Sequence, residues 1–233
     1  MVFCIVRKLL AGPDPNPIQS QKGGCAIREF HIISTGQQSA GELVSILKQI
    51  HPYIDFVHLR EKTWTDKEMV EAIDRLLSQG VPSEKIIVNN RIAVAHVTGV
   101  RGVQLTHQSI GLPKVKNYYD HLRIGCSVHS TDEAINAADH GADYLVYGHI
   151  FESGSKPGLA PRGLKNLQDV AESTTVPVIA IGGITPENTR DVLAAGASGI
   201  AVLSGVLLAR NPLEAVRSYR RQLAAVGDEK AVW

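Results

Sequence analysis

The stretch VPVIAIGGITPENTRDVLAAGASGIAVLSG (176–205) decides the fold. Two short runs rich in β-branched and apolar residues, VPVIAIGG (176–183) and GIAVLSG (199–205), read as strands. Between them Thr185–Pro186–Glu187 carries helix-start signals: a side-chain oxygen that can accept a backbone N–H, a proline suited to the first turn, and an acid. Strand, helix and strand in so short a span force parallel pairing through a right-handed crossover.

The same unit repeats all the way back towards Glu29. FHIIST (30–35), FVHLRE (56–61), KIIVNN (85–90), GVQLT (102–106), RIGCSVH (123–129) and YLVYGHI (144–150) complete a set of eight strands. Helical stripes lie between them. Leu43, Ile46, Leu47 and Ile50 form one, and Met69, Ile73, Leu76 and Leu77 another, while Thr65–Asp66 and Ser130–Thr131–Asp132 read as caps. Six such units would suggest an open doubly wound sheet; eight suggest closure. No GxGxxG follows the first strand, which weakens the dinucleotide-fold alternative. The expected fold is α/β, a single-domain (β/α)₈ TIM barrel with a parallel eight-stranded core over residues 28–226.

The flanks and the composition fit this. The chain has 233 residues, of which 44% are hydrophobic, enough for one sizeable core. MVFCIVRKLLAGPDPNP is interrupted by Pro13, Pro15 and Pro17, so residues 1–27 read as an irregular extension outside the fold, with 227–233 as a tail. Lys and Arg number 24 against 23 Asp and Glu, which argues against nucleic acid or an anionic membrane as partner. Cys4, Cys25 and Cys126 make neither a disulfide framework nor a zinc spacing, so a reduced cytoplasmic protein is expected. The apolar run around Val176 to Ile181 is far too short to span a bilayer.

Polar residues gather at the C-terminal strand ends, where barrels of this kind place their sites. Arg60, Lys62, Asn89, Asn90, Gln104, Ser127, His129, His149 and Glu152 all fall there. Alternation sets His58, Arg60 and Lys62 on one strand face and Val57 and Leu59 on the other, and it pairs Ser127 with His129 against Cys126 and Val128. The polar sets are expected to face the mouth, leaving Cys126 outward. Arg60 could instead pair with Glu61, and His58 lies deeper, as a hydrogen-bonded core residue. His129 stands out because a helix cap follows it at once. Gly182, Gly183, Ser204 and Gly205 read as a phosphate cradle: side chains are removed where backbone meets ligand, and short helices should begin just after each pair. The segment SGSKPGLAPRG (153–163) reads as a lid carrying Lys156. No HxH or HExxH pattern appears, and no metal or other cofactor is expected.

With these motifs in place, residues 29 to about 225 resemble the thiamine phosphate synthase/TenI family. HLREK (58–62), VNNR (88–91), GVQL (102–105), IGCSVHS (124–130), DYLVYGHIFES (143–153), VPVIAIGGIT (176–185) and GASGIAVLSG (196–205) carry the resemblance. The synthase of this family joins a pyrimidine diphosphate to a thiazole phosphate, with Mg²⁺ held by an NDR motif and by an aspartate after the fourth strand. Here those positions read Asn90 and Ser109, so the resemblance speaks against synthase activity. GxSVHS and YGHxFE instead resemble the TenI branch, which implies a thiazole tautomerase, an isomerase of thiamine biosynthesis that needs no metal. On that reading His129 carries a proton from ring C2 to the exocyclic carbon. Arg60 or Lys62, joined by Lys156, pairs with the carboxylate, Ser127 orients substrate or base, and Asn90, Gln104 and His149 line the site. Gly182, Gly183, Ser204 and Gly205 would hold the phosphate. The partner is a small phosphorylated thiazole, and the family resemblance implies a homodimer. The synthase and a non-catalytic thiamine-related phosphate binder stand as alternatives.

Overall fold

A computed structural model describes residues 28–154 and 158–228. The expected extension 1–27, Lys156 of the expected lid and residues 229–233 of the expected tail lie outside the described residues.

Eight parallel strands close into a barrel in sequence order. They are β1 (Glu29–Ile33), β2 (Phe56–Leu59), β3 (Ile86–Asn89), β4 (Gly102–Leu105), β5 (Arg123–Val128), β6 (Tyr144–Gly148), β7 (Val178–Ile181) and β8 (Gly199–Val202). The helices around them are α1 (Ala40–Ile50), α2 (Asp66–Ser78), α3 (Ile92–Thr98), α4 (Leu112–Tyr118), α5 (Thr131–Asp139), α6 (Gly163–Glu172), α7 (Thr189–Ala194), α8 (Ser204–Leu207) and α9 (Pro212–Asp228). No described helix is long and apolar enough to cross a membrane.

Each strand sits where the sequence places it, but most stop short of the run that signals it. β2 ends at Leu59, which leaves Arg60 and Lys62 in the following loop. β7 ends at Ile181 because Gly182, at φ 102°, leaves the extended region. α9 continues to Asp228, two residues past the expected barrel limit. The Thr185–Pro186–Glu187 signal opens a turn rather than a helix. Asn188 closes that turn, its Oδ1 accepting from the Thr185 N–H at 2.9 Å and its Nδ2 donating to the Gly183 carbonyl at 3.0 Å, and α7 starts one residue later.

Alternation along the strands sorts the core into two. Outward residues such as Phe30, Ile32, Val57, Leu59, Val88, Val103, Cys126, Leu145 and Ile200 pack against the helices in the main cluster. Full burial of each large aliphatic side chain there contributes about 1.5–3 kcal/mol. Inside the barrel Ile33, Tyr144, Val146, Ile179 and Ala201 form a smaller apolar cluster on the β1 and β6–β8 side. The interior of β2 and β4 carries buried His58 and Gln104 instead. The barrel lumen is thus half oily and half polar, and the polar half lies under the arc that bears the rim motifs.

Candidate functional site

The β7 and β8 ends form one side of the mouth. Gly182 and Gly183 have φ values of 102° and 65°, a region closed to most side chains. A Cβ on Gly182 would lie 2.6 Å from the His149 Cα, and one on Gly183 would lie 2.7 Å from the Phe151 Cβ. Both glycines are therefore required by the chain leaving β6. Gly205 likewise leaves room for the Tyr219 hydroxyl, which donates to the Ile184 carbonyl at 2.9 Å. The backbone N–H groups of Gly182, Gly183, Ser204 and Gly205 have no acceptor among the described residues. A helix does begin at Ser204, but it is only four residues long, and the one after Gly183 starts at Thr189. Loop amides at Gly182 and Gly183 and the first amides of the four-residue α8 supply the donors here.

The β2–β4 ends form the opposite arc. The Arg60 N–H is fixed by the Ser34 hydroxyl at 2.8 Å, while its guanidinium and the exposed Lys62 ammonium form no ion pair among the described residues, Glu61 included. Glu61, weighed in the sequence as a partner for Arg60, is instead buried. Arg91 is fully engaged. It pairs with Asp66 at 2.6 Å and donates to the carbonyls of Glu61 and Trp64. Asn90, at φ 61°, turns its side chain into a knot, its Oδ1 accepting from Ser109 Oγ at 2.5 Å and from Thr106 Oγ1 at 3.2 Å. Ser109 Oγ in turn accepts from the Thr106 N–H at 2.8 Å. A hard divalent cation wants ionised oxygens. Asn90 and Ser109 are neutral and already satisfied by each other, and the described residues contain no group of three or more His, Cys, Asp or Glu suited to a metal. These residues do not fit Mg²⁺.

Deeper and towards β5 and β6, Gln104 is only 2% exposed and donates to Ser127 Oγ at 3.0 Å, so it belongs to the floor rather than the rim. His129 lies at the edge. Its N–H donates to Glu133 Oε2 at 2.7 Å, and its ring Nδ1 lies 3.3 Å from the same oxygen, on the first turn of α5. Arg162 ties the two strand ends together, donating to the His129 carbonyl at 2.5 Å and to the Gly148 carbonyl at 3.0 Å. His149 is buried, with Nε2 3.2 Å from the Leu159 carbonyl. Glu133 and Arg162 were missed in the sequence. Glu133 stands four residues after His129, a helical spacing that could have revealed it. Burial pushes the Cys126 thiol up to about 11, and it packs outward as expected.

Comparison with known proteins now bears on this mouth. The thiamine monophosphate synthase family matches residues 30–206. A thiamine-phosphate synthase of Chloroflexus aurantiacus is 36% identical over 181 residues, covering 76% of this chain and 82% of that protein. One from Chlorobium phaeovibrioides is 39% identical over 172 residues, covering 72% and 81%. The solved thiamine phosphate pyrophosphorylase from Pyrococcus furiosus superposes with a TM-score of 0.73 at 28% identity, covering 87% of this chain and 98% of that one.

These relatives overturn the expected thiazole tautomerase and with it the isomerase class, because their names denote a synthase. The physical reason lies in the motifs that carried that reading. In GxSVHS, Gly125 clears room for the Tyr144 ring and the Gln104 amide, and in YGHxFE, Gly148 abuts the Ile181 backbone. Both glycines serve packing of the barrel, which says nothing about which reaction the mouth performs. On a match spanning most of its length, the chain belongs to the thiamine monophosphate synthase family.

Proposed function

We propose that the chain is a transferase of the thiamine-phosphate synthase type, joining a pyrimidine diphosphate to a thiazole phosphate with release of pyrophosphate. The observation that carries this reading is the pairing of two anion-suited regions at one barrel mouth. Free amides at Gly182, Gly183, Ser204 and Gly205 would receive the thiazole phosphate. Across the mouth, Arg60 and Lys62, which form no ion pair among the described residues, would take the diphosphate, and the Arg60 guanidinium would stabilise charge as the C–O bond to diphosphate breaks. The thiazole nitrogen forms the new C–N bond with its own lone pair, so no protein base is needed. Ser127 and Gln104 would form the floor, with His129 and His149 bordering the site.

One observation favours a second reading, a non-catalytic binder of a thiamine-related phosphate: the neutral Asn90–Ser109–Thr106 knot stands where carboxylates would be expected. Mixing both substrates with the protein, while measuring thiazole phosphate binding by calorimetry, separates the two. Thiamine phosphate formed in step with pyrophosphate supports the transferase. Tight binding without product supports the binder, and absence of both sinks the phosphate-site assignment itself. A cytoplasmic setting and a homodimer accompany this reading. Buried Cys126, without a disulfide partner among the described residues, fits a reducing compartment, and sedimentation tests the dimer.

A further inference from the structure

A chain of ionisable groups runs up the barrel interior, below the residues given roles above. Arg123 Nη2 donates to both Glu29 oxygens, at 2.8 and 2.9 Å, and its guanidinium lies over the Phe56 and Tyr144 rings at 4.4 and 4.6 Å from their centroids. Glu29 Oε2 lies 2.9 Å from His31 Nε2, and His31 Nδ1 lies 2.8 Å from His58 Nε2. Both imidazoles are completely buried. His58 Nδ1 lies beside the Asn89 side chain but has no partner at full hydrogen-bond geometry. Nor do Asn89 Oδ1, Gln104 Oε1 and the Tyr144 hydroxyl. Asn89, Gln104, Gly125 and Tyr144 stand in register on consecutive strands, so these atoms share one layer of the lumen.

The direction of each hydrogen bond follows from the one below it. Glu29 is ionised by its pairing with Arg123, so it only accepts, and His31 must donate from Nε2. A neutral His31 then has a bare Nδ1, which can only accept, so His58 must donate from Nε2. A neutral His58 is left with a bare Nδ1. Burial holds both rings neutral by pushing His31 down and His58 well down, and Arg123 adds to the effect at each. The charged or titratable groups facing the pair are Glu29 and Asp55, which favour protonation, and Arg123 and Tyr144.

We infer that Glu29 and His31 are positioning residues that lock the tautomer of His58, so that its bare Nδ1 stands as an acceptor beside Asn89 Oδ1 and Gln104 Oε1 and selects a molecule bearing an N–H or O–H donor at its deep end. The lock belongs to the folded chain whether or not the mouth turns over substrate, so it stands or falls apart from the transferase reading. The ligand class rests on the mouth being the binding site.

Nitrogen-15 spectra of the histidine-labelled protein test it without any variant. The expected pattern is Nε2 protonated and Nδ1 bare on both His31 and His58. A protonated Nδ1 on His58, or protonation of both its nitrogens at neutral pH, would overturn the lock. His31→Phe is the second arm, with the fold checked by circular dichroism. It should leave His58 a mixture of tautomers and weaken binding of the pyrimidine diphosphate roughly tenfold, as for one hydrogen bond. A His58 that keeps its single tautomer in that variant would show that the chain below does not set it.

Discussion

At the scale of single residues, the rim separates side chains that are spent from those that are free. Arg91 is spent on Asp66 and two carbonyls, whereas Arg60 and Lys62 have no ion pair among the described residues. Arg60→Ala should therefore weaken pyrophosphate binding by roughly 10–100-fold, the worth of a charge-assisted hydrogen bond; titration calorimetry measures it, and an unchanged affinity would place the diphosphate elsewhere. The Asn90 knot makes the opposite kind of prediction. Asn90→Asp combined with Ser109→Asp supplies two carboxylates at a backbone that already accepts an Asx residue at φ 61°. That double variant should bind Mn²⁺ where the parent does not, as read by paramagnetic resonance. The sequence made the identities at these positions legible, but not their engagement. Nothing in VNNR tells that Asn90 Oδ1 is satisfied by Ser109 from another strand end.

At the scale of elements, local chemistry was legible where the signal is local. Thr65 accepts from the Glu68 N–H, and Glu68 reciprocates to the Thr65 N–H, a capping box that fixes the start of α2. Thr65→Ala should lower the unfolding free energy by about 1 kcal/mol without touching the mouth, a shift that urea denaturation resolves. The strand ends were less legible, because β-branched runs carry on past the last ladder bond. What stops β7 is the positive φ of Gly182, and what forbids a side chain there is His149 on the neighbouring strand end. Such glycines read as ligand-approach sites in one dimension and as packing sites in three.

For the whole molecule, eight strand–helix units were enough to fix the closed barrel, because parallel strands with right-handed crossovers leave few other arrangements. The polar lumen was not visible in that count. His31 and His58 stand 27 residues apart in the chain, and the parallel pairing of β1 with β2 brings their rings within 2.8 Å. Their burial has a consequence for stability. Both titrate below their ordinary 6.5 when folded, so the unfolded chain binds more protons as the pH falls through 6.5. Their contribution is whole above that pH and lost progressively below it, and Glu29, held low by His31 and Arg123 against the effect of burial, adds a further loss at lower pH. The urea midpoint should fall between about pH 7.5 and pH 5.5; a flat midpoint would mean that the rings are not held neutral. The central claim, a synthase-type transfer at a mouth that does not fit Mg²⁺, is met most directly by pyrophosphate release from both substrates in the presence of a metal chelator. The account predicts release matched by thiamine phosphate formation and unchanged when Mg²⁺ is restored; no release under either condition, with thiazole phosphate still bound, would contradict it.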